Sequence, residues 1–172
     1  MSEPFDSPLK LSPEAEDAST FRQKVKGTNI NEQSLLATDY LNHFNEIVML
    51  LELIPDMPEF LDDAKEWSPK SYQEHFRDSV FSDRELAIAA YEHSPAKYRA
   101  PFEETVSHLN RLVVASLSRI EAALQSGERE MVKIAVSAAS KSLQKLIDVA
   151  SAIIHGAEIT LSQDEIDDLL RG

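Results

Sequence analysis

The chain has 172 residues, enough for one domain with a hydrophobic core plus tails. Its 17 Lys and Arg stand against 30 Asp and Glu, a formal net charge of −13. The basic footprint needed to hold nucleic acid or an anionic membrane surface is therefore missing, and no run approaches the ~18 apolar residues of a membrane span. With no cysteine, disulfide staples, thiolate metal ligands and a Cys nucleophile are excluded. The charged, Pro-containing N-terminus does not read as a signal peptide, so a cytoplasmic protein is expected.

Residues 1–33 contain Pro4, Pro8 and Pro13, many Ser, Asp and Glu, and little apolar periodicity, the composition of a disordered arm. The basic cluster Arg22-Gln-Lys-Val-Lys26 inside it reads as solvated linker. From Ser34 the pattern turns helical. Tyr40, Leu41, Phe44, Ile47, Val48 and Leu51 share one face, which predicts a helix from Leu35 to Ile54, ended by Pro55 and Pro58. Pro58 suits a first helical position and opens a short helix through Trp67. Ser68-Pro69 repeats that start signal for a segment through Phe76, and Ser82 with Glu85 reads as a capping box for a helix to about His93.

The second half carries a stronger pattern. Phe102, Val106, Leu109, Val113, Leu117, Ile120 and Leu124 form an apolar stripe that stops at Gly127. Val132, Val136, Ala139, Leu143, Leu146, Ala150 and Ile153 then keep a coiled-coil-like spacing up to Gly156. Two long helices joined by a Gly turn make an antiparallel αα-hairpin. The predicted fold class is all-α: a helical bundle over 34–156, preceded by the arm and followed by a short peptide over 157–172. The first half offers enough apolar surface to cover the hairpin, which favours a monomer. A dimeric four-helix bundle of two hairpins is the alternative.

Little in the bundle points to chemistry. His43 with Glu46 and Glu104 with His108 have helical ligand spacing, but the paired Glu-x-x-His repeats of di-iron bundles are missing, and neither metal nor cofactor is expected. His108-Leu-Asn-Arg-Leu112 has a nearby cation but no Gly to admit a receiver domain, and in His155-Gly156 the Gly has the wrong offset for a phosphorelay histidine. Phosphate loops, Ser-His-Asp arrangements and nucleotide fingerprints are not found.

The most informative segment is Leu161-Ser-Gln-Asp-Glu-Ile-Asp-Asp-Leu-Leu-Arg171. Ser162 and Glu165 fit a capping box, and the turn that follows puts Ile166, Leu169 and Leu170 on one face with Asp164, Asp167 and Asp168 around it. A helix this short is marginal alone in water and is expected to order in a groove. From Glu158 onward five acids face one Arg.

Ser162-Gln-Asp-Glu-Ile-Asp-Asp-Leu-Leu170 resembles the C-terminal tail of the CheZ phosphatases and the N-terminal peptide of the FliM switch proteins of bacterial chemotaxis. In both families that peptide docks as a short helix on the CheY receiver domain. The resemblance covers about a dozen residues and implies a CheY-like response regulator as partner. It assigns binding to Ser162, Gln163, Asp164, Ile166, Asp167, Asp168, Leu169 and Leu170. The implied function is a non-enzymatic signalling adaptor in chemotaxis or flagellar control. A divergent CheZ-like receiver phosphatase is the alternative. The phosphatase signature itself departs: in Leu143-Gln-Lys-Leu-Ile-Asp-Val149, Lys145 stands where that family has its acid and Val149 where it has its catalytic Gln. Gln144 and Asp148 are a reversed pair. A further possibility is that the tail docks back on its own bundle.

Overall fold

Val132, Val136, Ala139, Leu143, Leu146, Ala150 and Ile153 are all buried along one helix, as their spacing demands. The computed structural model describes residues 13–158 together with 164, 165, 167 and 168, and for 13–16 the backbone alone. Seven α-helices occupy 13–154: α1 (Pro13–Lys24), α2 (Asn42–Leu53), α3 (Phe60–Glu66), α4 (Tyr72–Asp78), α5 (Arg84–Tyr91), α6 (Ala96–Gln125) and α7 (Arg129–Ile154). No strand occurs among the described residues, only an isolated bridge between Ile30 and Ala37. The protein is an all-α helical bundle.

α6 and α7 pack along their lengths as the expected hairpin. Gly127 takes φ 75° in the turn, a conformation that disfavours a side chain, and so lets α6 end at once. α6 begins at Ala96, more than a turn before the stripe opening at Phe102, and carries Pro101 within it. α2 lies against α7, where Phe44, Ile47 and Leu51 are fully buried. α3 packs on α2 and α6, and α4 on α5. An aromatic cluster joins these layers: the Tyr40 ring lies 5.9 Å from Phe44, 5.4 Å from Tyr72 and 5.8 Å from Phe102. Such pairs add to what burial of the rings contributes.

Three expectations are corrected. Residues 13–33 are not a disordered arm: 13–24 are helical, Val25 is fully buried, and Ala18 and Ile30 are nearly so. The signal is a sparse stripe, Ala18, Phe21 and Val25 at i, i+3 and i+7, hidden in polar composition. Residues 1–12 lie outside the described residues. The helix expected from Leu35 begins at Asn42, after a 3-10 turn over Thr38–Leu41. Asn31 causes the delay. Its Oδ1 accepts from the amides of Gln33 and Ser34 at 2.8 and 3.0 Å, a local turn that competes with helix, and Leu35 follows with φ 60°. Finally, the capping box is at Ser71 and Glu74, with bonds of 3.1 and 3.0 Å, and not at Ser82 and Glu85. α5 starts after Asp83, whose side chain makes no cap.

Candidate functional site

α7 ends in a way that fixes where the C-terminal segment starts. Gly156 has φ 95° and donates to the Ile153 carbonyl at 2.9 Å, while Ala157 donates to Ala152 at 2.9 Å. These two bonds make the Schellman stop, which satisfies the last carbonyls and turns the chain off the helix axis. Directly after it, Glu158 pairs with Lys97 in the first turn of α6 at 3.4 Å. The hydrogen bond to Glu158 raises the Lys97 pKa above the usual lysine value. Both groups are exposed, so the pair is worth little energy, but it sets the direction of exit.

Of the residues assigned to partner binding, Asp164, Asp167 and Asp168 are described. Residues 164, 165, 167 and 168 are helical. Asp164, Glu165 and Asp168 are exposed and Asp167 is half-buried. Glu165 and Asp167 each have an interaction partner. Ser162, Gln163, Ile166, Leu169 and Leu170 lie outside the described residues, and with Ser162 the expected capping box does too.

The two histidine pairs weighed for metal both sit within the bundle. His43 Nε2 donates to the Ser68 carbonyl at 2.7 Å, its ring stacks on Trp67 at 4.6 Å, and Glu46 is 3.9 Å from Nδ1. Burial lowers the His43 pKa below the ordinary value, so the ring is held neutral. His108 on α6 is buried, with Arg111 donating to Nδ1, while Nε2 makes no hydrogen bond and has Glu104 3.8 Å away. Among the described residues no three His, Asp or Glu side chains gather as a metal site. Gln144 and Asp148 are exposed on α7 and bonded to each other at 3.0 Å.

A cleft of about 250 Å³ opens between α4 and α6, lined by Tyr40, Tyr72, Tyr91 and Phe102 with Lys70 and Glu103. The tyrosines are spoken for. Tyr40 donates to the Lys70 carbonyl at 2.7 Å, Tyr72 accepts from the Ala37 amide at 2.9 Å, and Tyr91 donates to Glu103. Burial drives all three phenols well above the usual tyrosine range, so they stay protonated. The cleft is structural packing around fixed hydroxyls.

What sequence reading missed is a stripe of α6: Lys97, Glu104, His108, Arg111, Ala115 and Arg119 recur at spacings of seven, four, three, four and four, so they share one face. The spacing is readable in the sequence, but no large apolar residue marks it. Set against models of known protein families, curated proteins and solved structures, the chain matches none of them.

Proposed function

We propose that the protein is a non-enzymatic adaptor that binds a CheY-like response-regulator receiver through residues 161–170, with the helical bundle as carrier. The observation that carries this reading is the sequence of that stretch, an acidic turn with Ile166, Leu169 and Leu170 on one face, placed after a sharp helix stop. The three aliphatic side chains supply affinity, each worth about 1.5–3 kcal/mol on full burial. Asp164, Asp167 and Asp168 meet basic groups on the receiver and govern approach. Ordering the peptide offsets part of the gain, which leaves micromolar affinity as the expected scale. The protein acts as a cytoplasmic monomer in this reading.

Calorimetric titration of the full chain with receivers from the same cell, with and without an acyl-phosphate mimic, tests it. Leu169→Ala with Leu170→Ala should abolish binding and leave the helical circular dichroism unchanged. Equal affinity for every receiver in the double variant would end the adaptor reading. The second reading, a divergent receiver phosphatase, rests on Gln144 and Asp148, an amide and a carboxylate both presented to solvent. It requires that the protein accelerate loss of phosphate from a receiver and that Gln144→Ala abolish the effect.

A further inference from the structure

One face of the hairpin is unlike the rest of this acidic chain. No residue of α2 reaches the cleft there, which is lined by Leu112, Ser116, Arg119, Ala135, Ala138 and Ser142 among others. Small side chains on α7 keep its floor low, so a helix laid on it approaches backbone closely. Met131 and Ile134, 48% and 65% exposed, extend the apolar surface toward the turn. Ser116 is 2% exposed, and its Oγ, at the wall of the cleft, has no hydrogen-bond partner. A buried hydroxyl left unpaired is costly, and it marks a place where a polar group from outside is accommodated.

The rim is cationic. Arg119 lies in the cleft, Arg111 precedes it on the same α6 stripe, and Lys141 and Lys145 follow Ala138 by three and seven positions on α7. The acid on that stripe, Glu104, sits beside His108 toward the other end. In a chain of net charge −13 this concentration of cations calls for an anionic occupant.

We infer that this cleft is the docking site of the chain's own acidic C-terminal segment, residues 161–170. The inference uses the amphipathic character of the peptide proposed above, but not the receiver. The Lys97–Glu158 pair starts the segment on the same α6 stripe, at its head. Six residues from 158 to 164 reach at most about 20 Å when extended, and a helical turn over 164–170 adds about 9 Å. Arg111, Ser116 and Arg119 lie about 21, 28 and 33 Å along α6 from Lys97 at helical rise, so with its linker fully extended the peptide draws level with the stretch from Arg111 to Ser116 and ends about 4 Å short of Arg119. There its acids meet Arg111, Lys141 and Lys145, with Arg119 spanning the remaining gap by its own side chain, and its apolar face meets Ala138. Asp167 is half-buried while Asp164, Glu165 and Asp168 are exposed. Arg119 has an interaction partner. Docked in this way the peptide is withheld from other proteins, and its apparent affinity for any of them falls by the fraction of time the cleft is open.

The chain has no cysteine, so Lys141→Cys accepts one nitroxide label at the rim. In the isotope-labelled full chain, without any receiver, the amides of 164–168 should be broadened, and reducing the nitroxide should restore them. Arg119→Glu with Lys145→Glu should remove the broadening while circular dichroism stays that of the parent. In a mixed sample with nitroxide and isotope on different molecules the amides should stay sharp. Unbroadened amides in the single-chain sample, or broadening untouched by the charge reversals, would overturn the inference. Broadening confined to the mixed sample would overturn it equally, by assigning the cleft to a second copy. Because no receiver is present, these results do not depend on whether the adaptor reading holds.

Discussion

Ser34 donates its hydroxyl to the carbonyl of Ile154, the last residue of α7, and its own carbonyl accepts from Ser94 at 2.6 Å. One fully buried serine thus ties the segment before α2 to the end of the hairpin and to the entry of α6. The Ile154 carbonyl belongs to the last turn of a helix, where no amide of the same helix can reach it. Ser34→Ala should therefore cost about 1–3 kcal/mol, the penalty for leaving a buried acceptor unpaired. Urea unfolding should show a lower midpoint with unchanged slope. An unmoved midpoint would mean that the carbonyl finds another donor.

The packed N-terminal segment makes a sharper prediction. Val25 is fully buried, and the Phe21 ring stacks on His93 at 4.5 Å with Asp17 3.8 Å from the same imidazole. Val25→Ala should lower stability by roughly 1.5–3 kcal/mol through lost burial and the cavity left behind. Chemical denaturation measures this directly. A solvated arm would tolerate the change without effect, so a null result would restore the picture that composition alone suggests.

How much was legible in the sequence follows from where the physical signal is concentrated. The α6–α7 hairpin was, because the seam from Val132 to Ile153 repeats over several turns and Gly127 and Gly156 mark the stops. α1 was not, since Ala18, Phe21 and Val25 give little periodicity among polar neighbours, and what orders them is the rest of the core. The start of α2 was misplaced because Asn31, several residues upstream, bends the backbone through its own side chain. For the candidate site, the acids and aliphatics of 161–170 were readable as a peptide. The cationic stripe of α6 was not, because its members matter only once α7 lies beside them.

Acid should weaken the fold through two imidazoles, buried His43 and half-buried His75. Burial lowers the pKa of both His43 and His75, and the two rings, 6.3 Å apart, share the neighbouring Lys70 as a further lowering influence. The unfolded chain, with histidines near about 6.5, takes up protons that the folded chain refuses. Stability is then fully present above that value and declines as pH falls through the folded-state pKa values. Urea midpoints taken between about pH 7.5 and about pH 5 should fall. His43→Gln, which keeps an amide donor for the Ser68 carbonyl, should flatten that slope even if it lowers stability at neutral pH. An unchanged slope in the variant would assign the acid sensitivity to other groups.

The charges of the C-terminal peptide should act differently from its aliphatic residues. Asp164 and Asp168 are exposed, and an exposed carboxylate steers an encounter more than it holds a complex. Asp164→Asn with Asp168→Asn, compared in the Arg119→Glu, Lys145→Glu chain so that the cleft holds the peptide in neither, should slow association with a receiver several-fold at low ionic strength. The difference should vanish near 1 M salt, where the Debye length is about 3 Å. Dissociation should hardly change. Leu169→Ala should do the reverse, quickening dissociation at every ionic strength, because a buried aliphatic group is not screened. Stopped-flow fluorescence over a salt series separates the two. If neutralising the acids raised dissociation equally at high and low salt, the carboxylates would be paired inside the interface, and the steering role assigned to them would fail.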